Sequence, residues 1–184
     1  MRVLVKRKAF GDKIVLENVD LTFEKGHCYG IMGPSGRGKT TLMRILLSLD
    51  KDYEGYLEDV PQSPIAVFQE DRLVPSLTVG ANLRAVSGDG NRIDELLGRI
   101  GLFEELDHRV DSLSGGMKRR ISIVRALLLD YDWLFLDEPF KGLDDDSRKK
   151  TANLILSESN DKGIIVITHD KEDILLLNGE VISL

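Results

Sequence analysis

Apolar positions are spaced in two different ways along this chain, and the difference predicts two kinds of strand. Val19, Leu21 and Phe23 alternate with Asp20, Thr22 and Glu24, the period of a strand with one wet face, and Lys25-Gly26 supplies the turn that ends it. An antiparallel strand near the N-terminus is predicted. The runs Cys28 to Met32, Ile65 to Phe68, Trp133 to Leu136 and Ile164 to Ile167 lack alternation, as expected of central, parallel strands covered on both faces. Between them, Ile93, Leu96, Leu97 and Ile100, and then Met117, Ile121, Val124 and Leu128, recur at spacings of three or four, which predicts amphipathic helices. Strand and helix thus repeat in turn, the pattern of an α/β fold with a mostly parallel central sheet. Ser87 to Asn91 reads as a loop. The stretch from Gln69 to Ser114 carries helical patterns without a clear strand, so a helical subdomain at about 70–114 is expected to be inserted into a single domain spanning 1–184.

Each buried run ends on polar residues. The first enters a glycine loop, the second reaches Gln69, the third Asp137-Glu138 and the fourth Thr168-His169. In open α/β sheets, ligands bind beyond the carboxyl ends of the strands, so four polar terminations at one edge describe a site.

Composition narrows what that site can serve. A net charge of −6 argues against a general electrostatic grip on nucleic acid, and no nucleic-acid partner is expected. Cys28 is the only cysteine, which rules out a disulfide within the chain and a cysteine-rich zinc site, and fits an inert core residue in a reducing compartment. The first residues turn basic before an apolar stretch develops, unlike a secretory signal. No apolar run approaches the roughly 18 residues of a membrane span, so a membrane role is expected to come through a partner.

The loop Gly33-Pro34-Ser35-Gly36-Arg37-Gly38-Lys39-Thr40, followed by Thr41, matches Gly-x-x-x-x-Gly-Lys-Ser/Thr in the place its mechanism needs, after a buried strand and before a helix beginning near Lys39. Backbone N–H groups can close around phosphate oxygens, Lys39 supplies a point charge and Thr40 offers a hydroxyl to Mg²⁺. Asp137 and Glu138 point in different directions at a strand end, so Asp137 is assigned to the metal's water shell and Glu138 to the attacking water. Leu113-Ser114-Gly115-Gly116-Met117 is a second glycine-rich anion site before a helical pattern. Ser114 fits a helix cap as well as a phosphate contact. The run Lys118-Arg119-Arg120 reads as a solvated helix face, and His27 and His108 receive no functional role.

In order and spacing these motifs resemble those of ATP-binding cassette (ABC) ATPases over nearly the whole chain. Gly33 to Thr40 resembles the Walker A loop, Gln69 the Q-loop glutamine and Leu113 to Met117 the signature motif. Phe135 to Pro139 resembles the end of Walker B, Gly142-Leu143-Asp144 the D-loop, His169 the switch histidine and Phe10 the aromatic that stacks on adenine. The resemblance implies ATP as the nucleotide and Mg²⁺ held by Thr40, Gln69 and Asp137. It also implies hydrolysis carried by Glu138, His169 and Gln69. Two cassettes, identical or homologous, would pair head to tail, so that Ser114 and Gly116 of one contact the γ-phosphate held by the other, and Gly115 and Asp144 would also be among the nucleotide-binding residues. Separate integral membrane transporter subunits would be the other partners, with the cassette on the cytoplasmic face of the membrane. Glu70 to Val79 resembles import-type cassettes for small organic anions. The segment from Asp50 to Pro64 is short against the family, Lys141-Gly142 departs from the usual small residues before the D-loop leucine, and Phe10 replaces a commoner tyrosine. A soluble ABC-type ATPase of repair, translation or cofactor assembly is the alternative, and a regulatory nucleotide-binding module is a third.

Overall fold

The computed structural model describes residues 1–184. Its alternating N-terminal segment is β2 (Lys13–Thr22), which pairs antiparallel with β1 (Arg2–Phe10) through a turn at Gly11, whose φ is 58°. Left-handed backbone at such a turn favours glycine. The wet face is as predicted: Val19 and Leu21 are half-buried and Phe23 is buried, whereas Asp20 and Glu24 are not. The short segment after Asp50 supplies one strand, β4 (Glu54–Glu58), which pairs with the other edge of β1 to complete a three-stranded sheet.

The second sheet has five parallel strands in the order β5-β6-β7-β3-β8, formed by β3 (Cys28–Met32), β5 (Pro64–Val67), β6 (Trp133–Asp137), β7 (Gly163–Ile167) and β8 (Glu180–Ser183). Every residue of β6 and β7 is buried. Their missing alternation has a simple cause, because the two faces feed two cores. Trp133 and Phe135 join Val3, Val5, Leu42 and Met43 on one side, whereas Leu134 and Leu136 join Leu83, Leu96, Ile121 and Val124 on the other. Full burial of each such side chain stabilises the fold by about 1.5–3 kcal/mol.

One expectation about strands needs correction, and one strand was not expected at all. β5 is an edge strand with three half-buried residues, so it is covered less completely than its apolar run suggests. β8 went unread, because a four-residue edge strand with exposed Glu180 and Val181 carries too few apolar positions to register.

The helices are α1 (Lys39–Leu46), α2 (Val79–Arg84), α3 (Gly90–Arg99), α4 (Gly115–Leu127), α5 (Asp145–Glu158) and α6 (Lys171–Leu176). Between β5 and β6 the chain makes only α2, α3, two short 3₁₀ turns and α4. The predicted loop at Ser87–Asn91 is shorter than expected. The Asp89 carboxylate accepts from the Arg92 N–H at 3.1 Å and starts α3 at Gly90, an Asx cap overriding glycine's poor helix propensity. Cys28 is buried as expected, and burial pushes its thiol up to about 12.

Candidate functional site

β3 delivers the chain into the glycine loop, and α1 begins at Lys39 with no side chain capping it. Its first-turn N–H groups therefore remain available to an anion. Glycine at 38 is obligatory on two grounds. Its φ is 88°, and an added Cβ would lie 2.7 Å from the Leu16 side chain and 2.9 Å from the Val15 carbonyl. The ammonium of Lys39 is buried and folds back over the loop, donating to the carbonyls of Gly33 at 2.7 Å and Pro34 at 3.1 Å. Arg37 sits at the exposed tip.

Ser35, Gly36, Gly38, Lys39, Thr40 and Thr41 line a cleft of about 900 Å³ together with Phe10, Val15, Gln69, Asp137, Glu138 and His169, a volume suited to a nucleotide-sized ligand. Phe10 is 56% exposed, and the buried Lys8 ammonium lies 4.6 Å from its ring centroid. Lys8 is itself held by Asp50 Oδ1 at 2.9 Å and the Asp52 carbonyl at 2.6 Å, so one face of the ring is backed and the other is free to stack.

The acidic pair divides as expected, though not by strand alternation, because β6 ends at Asp137 and Glu138 lies beyond it. Thr40 Oγ1, in the first turn of α1, donates to Asp137 Oδ2 at the end of β6, at 3.4 Å. Glu138 turns the other way, with Oε1 3.3 Å from His169 Nε2. Its backbone is left-handed, at φ 51°, and its N–H donates to the Ile167 carbonyl at 2.8 Å. A bulky residue in that region is a strained conformation of the kind that clusters at active sites. Burial raises the pKa of both carboxyls. At Asp137 the Thr40 hydrogen bond and the positive charges of Arg119 and Lys39 oppose the rise; at Glu138 His169 opposes it, while Asp137 adds to it.

The glycine-rich segment at 113–117 lies elsewhere. Ser114, Gly115 and Gly116 line a separate cavity with Asp71 and Arg119, and this cavity shares only Gln69, Lys141 and Gly142 with the first. Ser114 Oγ accepts from the Met117 N–H at 3.2 Å and caps α4, yet the residue is exposed and its own O–H remains a donor. Asp144 lies in neither cavity. Its carboxylate caps α5, accepting from the Ser147 N–H at 2.9 Å and hydroxyl at 2.8 Å, and these bonds lower its pKa.

The solvated-face reading of Lys118-Arg119-Arg120 is wrong for two of the three residues. Arg119 is buried and binds the carbonyls of Phe68 and Gln69, and Arg120 reaches the Ile100 carbonyl at 2.8 Å. A usable signal existed: Arg119 stands four residues before Ile123 and seven before Ala126, on the buried stripe of α4. Arg148 was also missed. From α5 it contacts Asp170 at 2.6 Å and Asp173 at 2.5 Å, and Thr168 Oγ1 donates to Asp173. These bonds brace both sides of His169, and nothing local in the sequence announced them.

A phosphate loop after one central strand, with a buried aspartate two strands away facing its threonine and a half-buried glutamate beside it, defines a P-loop nucleoside triphosphatase. Comparison with known proteins narrows this further. Residues 16–141 match the ABC transporter family, and the chain belongs to that family as an ATP-binding, ATP-hydrolysing subunit. It is similar to the aliphatic sulfonates import ATP-binding protein SsuB 1 of Pseudomonas savastanoi, at 36% identity over 99% of this chain and 79% of that protein. The protein of the same name from Nocardia farcinica is 39% identical over 97% of this chain and 75% of its own length. The fold superposes on a dimeric structure of MJ0796, a bacterial ABC transporter cassette, with a TM-score of 0.82 and 29% identity, covering 100% of this chain and 93% of that one. A dimeric post-hydrolysis state of MJ0796 bound to ADP and Pi gives a TM-score of 0.80 over the same shares. No helix is long and apolar enough to cross a membrane.

Proposed function

We propose that two such cassettes, both of this chain or one of them homologous, pair head to tail around two ATP–Mg²⁺. Their closure and hydrolysis would then drive import through separate integral membrane subunits at the cytoplasmic face of the membrane. The observation that carries the reading is the separation of two anion sites in one chain: Ser114 and the Walker loop share no cavity. A partner's Walker loop facing Ser114 would give each ATP both cradles. The 184 residues would act as one cassette domain with a helical subdomain at about 70–114. The similar proteins are import proteins by name, which supports the direction.

In this reading Gly33 to Thr41 hold the phosphates and Phe10 stacks on the base. Ser114, Gly115 and Gly116 close on the partner's γ-phosphate, with Asp144 near the paired surface. Thr40, Asp137 and Gln69 fit Mg²⁺, a hard cation that takes oxygen ligands and keeps phosphates and water in its shell; the Thr40 hydroxyl beside the buried Asp137 carboxylate is such a donor set. Bound there, the ion would neutralise charge on the phosphates. Glu138 accepts the proton of the attacking water, and His169 contacts the γ-phosphate.

Two outcomes follow from this arrangement. The ATPase rate per chain is expected to rise with protein concentration between about 10 nM and 10 μM and then level, because pairing obeys mass action. A rate per chain constant across that range would remove trans completion. The pH profile depends on Glu138, which works only as the carboxylate. Because burial raises its pKa, the carboxylate fraction falls sooner on acidification than for an ordinary glutamate. The acid limb of kcat/KM, which reports the free chain, is therefore expected to lie above the usual value of about 4.3. Stopped-point phosphate release across buffers would measure it, and a limb at the ordinary value would deny Glu138 the role.

A further inference from the structure

Phe68 to Arg72 leave β5 without entering another regular element, so their carbonyls need partners from outside the segment. Two side chains of α4 supply four of them. Arg119 Nη1 donates to the Phe68 carbonyl at 2.6 Å and its Nη2 to the Gln69 carbonyl, while Arg125 donates to the carbonyls of Asp71 at 3.2 Å and Arg72 at 2.9 Å. Arg119 is only 5% exposed, and its Nε lies 3.3 Å from Asp71 Oδ1, near enough to pair charges though misaligned for a hydrogen bond. A guanidinium can grip two carbonyls at once, which an ammonium cannot do with the same geometry.

The helix that holds this segment is also the helix capped by Ser114, and Arg119 lines the cavity shared by Ser114 and Gln69. α4 has its own apolar anchorage in Ile121, Ile123 and Val124, which are fully buried, so its packing does not rest on the clamp alone. We propose that Arg119 and Arg125 are positioning residues for hydrolysis: they join the Gln69 segment to the signature helix as one body. Through that clamp the register of α4 fixes where Gln69 stands relative to Thr40 and Asp137, which line the same cleft. The inference rests on the roles proposed above for Ser114, Gln69 and Glu138.

The test is a double-mutant cycle at saturating ATP, with nucleotide affinity measured in parallel. Arg119→Met is expected to lower kcat about tenfold or more while the Kd for ATP stays within about twofold, and Arg119→Lys to recover only part of the rate. Gln69→Ala combined with Arg119→Met is expected to fall no lower than Gln69→Ala alone, because both changes remove one device. A kcat within about twofold of wild type for Arg119→Met, or losses that multiply in full, would overturn the clamp. Should Arg119→Met not fold, Arg119→Lys, which keeps the buried charge, goes through the same cycle under the same criteria. A Glu138→Gln control hydrolysing at the wild-type rate would instead remove the hydrolysis reading beneath the proposal.

Discussion

Glu138→Gln is expected to retain ATP binding and to lose turnover by about 100- to 10,000-fold, the contribution typical of a general base in water attack. The substitution keeps the size of the side chain and removes its basicity. It also keeps the Glu138 N–H bond to the Ile167 carbonyl at 2.8 Å, so the left-handed backbone at φ 51° need not rearrange. Neither the Walker loop nor the signature segment changes, and the energy that closes two chains around ATP is untouched. Without hydrolysis to reopen it, the pair accumulates. Size-exclusion chromatography with ATP should therefore move the variant from monomer to dimer, whereas wild type returns to monomer as ATP is consumed. A variant that hydrolyses at the wild-type rate would deny Glu138 its part in the chemistry. A variant that stays monomeric at saturating ATP would break the link between nucleotide and pairing.

The parts legible in the sequence were those fixed by local physics. The phosphate loop needs glycines where φ is positive and a lysine at the start of a helix, and Gly38 and Lys39 meet both conditions within two positions. The buried strands were legible because β6 and β7 have no solvent face to force alternation. The division of the acidic pair was legible, since Asp137 meets Thr40 and Glu138 meets His169, but its cause was not: β6 ends at Asp137, and the left-handed backbone at Glu138, rather than strand alternation, sends the second side chain away.

What could not be read depends on who lies opposite. Arg119 and Arg120 stand beside Lys118 in an unbroken basic run, and nothing short of the α4 register distinguishes a buried guanidinium from a solvated one. The register is there, in the step from Arg119 to Ile123, but the carbonyls that compensate the charge lie 50 and 51 residues away in the chain. The brace on His169 is equally non-local: Arg148 reaches from α5 to Asp170 and Asp173 around a strand that separates them. β8 failed for the opposite reason. Its place in the sheet is set by the exposed edge of β3 rather than by any strong pattern of its own.

The head-to-tail arrangement can be tested without a structure of the pair by mixing two inactive variants. Ser114→Arg places a long cationic side chain where the partner's phosphate must enter and removes the cap on α4, at a stability cost of about 1 kcal/mol. Lys39→Ala removes the ammonium from the Walker loop and leaves the signature segment intact. Alone, each variant has a defect in every composite site, and each is expected to lose at least about 100-fold in turnover. A mixed dimer is different. The Walker loop of the Ser114→Arg chain meets the intact signature of the Lys39→Ala chain, giving one complete site and one with both defects. Random pairing of equal amounts makes half of the dimers mixed, each with one of its two sites intact, so recovery well above either variant alone, with a ceiling near a quarter of wild type, is expected. If both cradles of one chain served the same nucleotide, no mixture could repair either defect, and its rate would equal the mean of the two inactive proteins. The position of Ser114, outside the cleft that holds Lys39, favours recovery.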